Sequence, residues 1–278
     1  MSGPGRADLH THTWHSDGRH SPQEVVERAR NAGVGTLAVT DHETVAGIGE
    51  ALEAGRAAGI EIIPGIELAT RIKAVEAHIV GLWIDVAAPS LRDTIELLQA
   101  ERGERAKGMV ARLQGLGVRI GMEDVIKATG KGSIGRPHVA QALVNVGAVA
   151  SFQKAFERYL GNRGPAYIPR KHLTPARAIE IIHGAGGVAT LAHGLIGGPA
   201  REHVMEIAAM GLDAVEVVHP KLNAGQSAWL REFARARGLG VTGGSDWHGE
   251  GWSEGEIGEF TVSLDEVREL MKKKKQGY

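Results

Sequence analysis

The sequence contains no cysteine. That excludes disulfides, thiolate metal sites and a cysteine nucleophile, and it makes the reducing cytoplasm the expected compartment. Aromatic residues are only 4% of the chain, too few for an extended platform on which a long single strand would stack. A formal net charge of −1 offers no basic face for duplex DNA. No run of about 18 apolar residues occurs and the N-terminus has no apolar h-region, so neither membrane spanning nor secretion is expected. Repeats and low-complexity tracts are absent apart from the closing KKKKQGY, which reads as a solvated basic tail. Nothing in these features points to an obligate protein partner.

What is present suits a buried core: 278 residues, 42% hydrophobic and 23% charged, enough for one large domain or one domain with an insertion. Short apolar, β-branched runs alternate with amphipathic helical stretches, the pattern of parallel strands with crossover helices. SPQEVVERARNAG has a capping Ser21, Pro22 at the first helical position, Glu24 to complete a capping box and Gly33 as a stop. Thr174 and Pro175 open LTPARAIEIIHGAGG in the same way. The apolar runs end in polar residues: GTLAVTDH in Asp41-His42, IEIIPGIE in Glu67, GVATLAH in His193, AVEVVHP in His219, and GLGVTGGSDWH in Asp246 and His248. In a barrel of parallel strands the C-terminal ends converge on one face, where active sites form. From about Leu91 to Ala166 the strand signal stops and helical patterns take over. The expected organisation is therefore a barrel from 1–90 and 167–278, interrupted by a mainly helical insertion over 91–166.

The segment ADLHTHTWHSDGRH concentrates histidines and aspartates near the N-terminus. On a strand, His10 and His12 leave the same face and can share one ion. Asp17 follows on a loop tightened by Gly18, and Asp246 with His248 repeats the i, i+2 spacing. Imidazoles and carboxylates without thiolates suit Zn²⁺, Mn²⁺ or Fe²⁺, and the carboxylate share tilts the choice towards Mn²⁺ or Fe²⁺. Other polar residues receive plainer readings. His15 and His20 are expected to face solvent, and His172, His183 and His203 to be exposed or capping. Asp41 is either an acceptor behind the His42 ring or a turn residue. Trp247 should point into packing, whereas Trp252 is a candidate to stack on a base.

DLHTHTWHSDG, AVTDHETVAG, IIPGIELAT, AHIVGL, GRPHVAQAL, ATLAHG and TGGSDWHG resemble, in order and spacing, the signatures of the PHP (polymerase and histidinol phosphatase) family. The likeness is strongest to its stand-alone metal-dependent phosphoesterases, which act on nucleoside 3′,5′-bisphosphates and short RNA 5′ ends. It implies an α/β fold, a distorted seven-stranded β/α barrel with a helical insertion. It also implies ligands. His10 and His12 would hold one ion with Glu67 and Asp246. Glu67 would bridge to a second ion held by His78 and His193, and Asp17, His42 and His248 would hold a third. Only the resemblance identifies His78, which opens an apolar run instead of ending one. Asp17 stands where other branches carry histidine, so the ion count is two or three.

The resulting expectation is a phosphoesterase acting on a small nucleotide or short oligoribonucleotide through metal-activated hydroxide. Mn²⁺ is the favoured ion, with Fe²⁺ or Zn²⁺ the alternatives. Glu67 would hold the ions together, and Asp246 and His248 are the residues best suited in kind to assist proton transfer. Arg136 and His138, at the start of a helix opened by Pro137, and Lys171 are the substrate-binding candidates. Arg136 is expected to grip a second, non-reacting phosphate. A histidinol-phosphate phosphatase and a non-catalytic metal-binding regulator are the rival readings.

Overall fold

The computed structural model describes residues 5–129, 134–169, 173–197 and 200–274. The chain divides into two compact units, Met1–Thr94 with His172–Tyr278, and Ile95–Lys171. In the first unit the chain order is β1 (Arg6–Asp8), α1 (Pro22–Asn31), β2 (Thr36–Val39), α2 (Ile48–Ala58), β3 (Glu61–Ile72) and β4 (Val75–Leu82). After the second unit it resumes with α7 (Pro175–Gly184), β5 (Val188–Ala192), α8 (Arg201–Ala208), β6 (Ala214–Val218), α9 (Ala224–Arg237), β7 (Gly240–Gly243), β8 (Val262–Ser263) and α10 (Leu264–Met271).

The strands form one sheet in the order β7-β6-β5-β4-β3-β2-β1-β8. Backbone bonds beyond the strand ends bring the first and seventh strands together: Leu9 N–H donates to Gly243 O at 3.0 Å, Asp246 N–H to His10 O at 2.9 Å, and His12 N–H to Trp247 O at 3.0 Å. The sheet is thus nearly closed into a barrel with helices around it, as the resemblance implied. Among the described residues there are eight strands rather than seven, because the two-residue β8 pairs antiparallel with β1. Nor is the sheet purely parallel. β4 runs antiparallel to both β3 and β5.

Side chains alternate along the strands as the pleat requires. Ala38 and Ile63 join a core with Val80, Leu82, Val188 and Ala214. Their chain neighbours Leu37, Val39 and Ile62 pack with α1 and α2 through Val25, Val26, Ile48 and Ala51. The helix signals hold: Ser21 Oγ accepts from Glu24 N–H while Glu24 accepts from Ser21 N–H at 2.8 Å, and Thr174 caps α7.

The second unit is helical, with α4 (Met122–Thr129), α5 (Arg136–Asn145) and α6 (Phe152–Ala155), which runs into a π-helical turn at Phe156–Leu160. The cut between units falls inside α3 (Pro89–Gly115), a single long helix. The expected boundaries at 90/91 and 166/167 therefore differ from the observed ones by a few residues. The core of this unit is Met109, Val110, Leu113, Val125, Val139, Leu143 and Leu160. Among the described residues, no helix is long and apolar enough to cross a membrane.

Candidate metal centre

Most of the polar residues read from the sequence gather at one end of the barrel unit. His10 and His12 extend from β1, Asp17 lies in the loop before α1, and His42 follows β2. His193 follows β5, and Asp246 and His248 follow β7. Two placements differ from expectation. Glu67 is not at a strand end but in the middle of β3, which continues to Ile72 as one arm of a hairpin with β4. His78 sits on β4, which runs the other way, so its early residues lie level with the late residues of β5; His78 pairs with Ala192. The antiparallel direction explains why a residue that opens an apolar run still reaches the site.

Among the described residues, three overlapping groups have ligand atoms all within 4.8 Å of one another: His10, His12, Glu67 and Asp246; His42, Glu67 and His78; and His12, Asp17, His42 and His248. Glu67 belongs to two of them. Its Oε1 lies 2.6 Å from His78 Nδ1 and 3.3 Å from His193 Nε2, and its Oε2 lies 3.3, 3.2 and 3.2 Å from His10, His12 and His42 nitrogens. The first group coincides with the set implied by resemblance. The second contains His42, while His193 stands beside Glu67 outside the tight groups. The third gains His12.

The environment is dry: Glu67 and His10 are 1% exposed and His12 is fully buried. Even so, both ring nitrogens of His12, Nδ1 of His42 and Oδ1 of Asp17 are buried without a hydrogen-bond partner. The close His12 and His42 contacts with Glu67 lack hydrogen-bond geometry. A buried polar atom left unpaired costs about 1–3 kcal/mol. Several of them within the same tight groups, all nitrogen or oxygen donors, fit divalent cations.

The titration behaviour has the same origin. Burial disfavours every charge here. Around Glu67, Asp17 and Asp246, however, the neighbouring histidines outweigh it and hold the carboxyls well below their ordinary range. His12 is pushed up to about 10 and His78 to about 9 against burial, by contact with Glu67, Asp246 and Glu76. His10 is likewise raised, by Glu67, Glu216 and Asp246. His42 goes the other way, to about 3, because burial outweighs its carboxylate neighbours. Backbone strain marks the same place: His193 (φ 34°) and Asp246 (φ 49°) occupy the left-handed region that non-glycine residues avoid.

Two further residues complete the site. Glu216, buried on β6, accepts from His10 Nδ1 at 3.1 Å and from the His193 backbone N–H at 2.7 Å. It leaves His10 Nε2 facing Glu67. A glutamate inside the apolar run AVEVV was the signal that could have found it. His219 Nδ1 accepts from Lys221 N–H, so the neutral ring carries its proton on Nε2, 3.3 Å from Asp246 Oδ2.

The plain readings fare unevenly. His15 does not face solvent: it is 8% exposed, its Nε2 3.4 Å from Glu50, because the loop folds back onto α2. His20 is partly covered, stacked on Trp247 and 2.7 Å from Glu250. His203 Nδ1 caps Ala200 N–H, His183 pairs with Asp213 at 2.6 Å, and Trp247 is buried as expected. Trp252 lies under the Arg19 guanidinium, 5.3 Å from it. His172 lies outside the described residues.

Arg136 and His138 belong to the helical unit. Arg136 Nη1 donates to Asn162 Oδ1 at 2.9 Å, and its guanidinium lies between the Phe156 and Tyr167 rings at 5.3 and 5.5 Å. His138 is 9% exposed and its Nδ1 accepts from Gly135 N–H at 3.0 Å. Lys171 lies outside the described residues.

Known proteins resemble this chain over most of its length. The PHP domain model matches residues 8–159. A 5′-3′ exoribonuclease of Haemophilus influenzae is 37% identical, over 94% of this chain and 96% of its own. A 3′,5′-nucleoside bisphosphate phosphatase of Chromobacterium violaceum is 32% identical over 90% of each. A crystal structure from Bifidobacterium adolescentis, assigned as a metal-dependent phosphoesterase, superposes with a TM-score of 0.89 at 33% identity, covering 99% of this chain and 98% of that one. These relatives favour neither a histidinol-phosphate phosphatase nor a non-catalytic regulator. The chain belongs to the PHP domain family, and it is a metal-dependent phosphoesterase.

Proposed function

We propose that the protein hydrolyses phosphate esters of small nucleotides, either nucleoside 3′,5′-bisphosphates or the 5′ ends of short RNA, with two or three divalent ions and Mn²⁺ favoured. The observation that carries this reading is the set of buried, unpartnered ligand atoms converging around Glu67. His10, His12, Glu67 and Asp246 would hold one ion. Glu67, His78 and His193 would hold another, and Asp17, His42 and His248 a third, because a neutral imidazole has one ring lone pair and His12 and His42 can each serve only one ion. When bound, the ions supply an activated water and positive charge against the phosphoryl oxygens. Glu67 fixes the spacing of two groups because each of its oxygens faces a different set of imidazoles. Glu216 holds the His10 ring in place, and the site's walls keep bulk water out.

Around the reacting phosphate, Asp246 and His248 are the residues proposed to pass a proton; His219 donates to Asp246, whose carboxyl is held well below its ordinary range chiefly by His10 and His248. Arg136, His138 and Lys171 are the proposed contacts to the rest of the substrate. The stacking of Arg136 between two rings, with one edge bonded to Asn162, presents its guanidinium pre-oriented, which lowers the entropic cost of gripping an anion.

The test is a substrate panel under one metal condition: adenosine 3′,5′-bisphosphate, a short 5′-phosphorylated RNA and histidinol phosphate. Release of phosphate or mononucleotides from the first two, abolished by chelator and restored by Mn²⁺, is the expected result. Turnover of histidinol phosphate alone would overturn the substrate assignment.

A further inference from the structure

Asp41 is buried at 1% exposure beside the metal centre, yet it is in none of the ligand groups. It does not support the His42 ring. Instead it binds the loop that carries Asp17. Its Oδ1 accepts from Thr13 N–H at 2.7 Å and from Ser16 Oγ at 2.6 Å, and its Oδ2 accepts from Thr13 Oγ1 at 2.6 Å. Thr13 Oγ1 in turn accepts from His15 N–H at 3.2 Å. All these partners flank Asp17 on its N-terminal side, and the loop has no regular element of its own.

Two close approaches keep the arrangement open. A Cβ at Gly47 would come within 3.2 Å of both Asp41 Oδ2 and Thr13 Oγ1, and one at Gly18 would lie 2.7 Å from His12 O. At Gly18 the clash would be with backbone, so a side chain there would force the loop to shift, whereas at Gly47 it would crowd the clamp's own side chains.

Asp17 meets its group more loosely than the other acids do. Its oxygens lie 3.4 Å from His248 Nε2 and 3.8 Å from His42 Nε2. Asp41 is the chain neighbour of His42, so one residue ties together two segments that supply that group. Asp17, by contrast, plays no part in the other two groups, whose atoms come from strands and their immediate extensions.

We propose that Asp41 is the positioning residue for the ion site formed by Asp17, His42 and His248. By clamping the Asp17 loop it sets the affinity of that group for its ion, and so whether the protein holds three ions or two, while the groups around Glu67 load independently of it. The inference rests on the metal-centre reading above.

The test is equilibrium dialysis of the metal-free full-length protein against Mn²⁺, with elemental analysis, for wild type, Asp41→Ala, Asp41→Asn and Ser16→Ala, alongside thermal melts of each metal-free protein. Wild type is expected to bind three ions. In Asp41→Ala one class of site should weaken by about 10- to 100-fold, the scale for losing a ligand's supporting partner, with the other two unchanged. Asp41→Asn can keep an oxygen on Thr13 N–H and Ser16 and turn its amide to Thr13 Oγ1, so it should retain most of the affinity. Ser16→Ala removes one of the three bonds and should give an intermediate loss, which keeps the test available if Asp41→Ala fails to fold. Equal counts and affinities in wild type, Asp41→Ala and Ser16→Ala would overturn the proposal. So would a uniform weakening of every ion, or a lowered melting temperature with no change in metal binding. A wild type that binds no ion would instead refute the metal-centre reading itself.

Discussion

Replacing Glu67 with glutamine tests the residue on which the two central groups depend. The side chain keeps its shape but loses its charge and one of its two oxygens. In the native arrangement Oε1 faces His78 and His193, and Oε2 faces His10, His12 and His42. Whichever way the amide turns, an NH₂ replaces oxygen in one group, and that group loses its shared ligand. The buried negative charge that offsets the site's cations disappears as well. Turnover should fall by at least about 10²-fold, or about 2.7 kcal/mol of barrier, the scale for deleting a key electrostatic group in a dry site. The assay is kcat at saturating Mn²⁺, with metal content and a far-ultraviolet spectrum measured on the same preparation. The metal-free variant gives a second readout: His10 and His78, held up in large part by Glu67, should titrate lower by nuclear magnetic resonance. Near-native turnover with a full complement of ions would refute the argument that Glu67 bridges the two groups.

Arg136→Ala should damage hydrolysis of a 3′,5′-bisphosphate by about 10- to 150-fold in kcat/KM, the worth of a charged hydrogen bond of roughly 1.5–3 kcal/mol. The matching 5′-monophosphate and an aryl phosphate should change little; equal losses on all three would place Arg136 at the reacting phosphate. Glu216→Gln, which disturbs the bonds to His10 Nδ1 and His193 N–H, should weaken metal binding by about 10- to 100-fold, and unchanged affinity by dialysis would remove Glu216 from the site. The metal-free protein should lose stability as pH rises. His12 and His78, raised to about 10 and about 9, stabilise the fold fully below their unfolded value of about 6.5, and that contribution disappears as pH passes through the folded values. Melting curves in chelator should therefore shift down between pH 7 and pH 10. A flat profile would show that these imidazoles are not held protonated by the buried carboxylates.

Much of this architecture is legible in the sequence because it depends on local chemistry. Caps such as Ser21–Glu24 and Thr174 mark helix starts, and polar residues after β2, β5 and β7 mark the converging strand ends. Strand direction is not local. An isolated run such as HIVGLWI carries no sign of whether it lies parallel or antiparallel to its neighbours, so His78 was invisible to the strand-end rule and Glu67 was misplaced at a terminus. Loop burial is non-local too. His15 and Asp41 are buried because the segment from Thr13 to Gly18 folds onto α2 and β2, a tertiary event with no periodic signature. Glu216 was legible in principle, since a carboxylate in an apolar strand must find partners. The unit boundary inside α3 could not be read, because a continuous helix carries no break in its pattern.

A multi-ion centre that is built from the buried histidines and carboxylates and performs the hydrolysis must hold its ions among those side chains. The most direct measurement is anomalous diffraction from crystals grown with Mn²⁺, paired with elemental analysis and activity of the same protein after chelation and reloading. At least two ions per chain are expected, with peaks among the ligand atoms of His10, His12, Glu67, His78 and Asp246, and with hydrolysis that vanishes and returns with them. Less than about one ion per chain, together with chelator-resistant hydrolysis, would contradict that expectation.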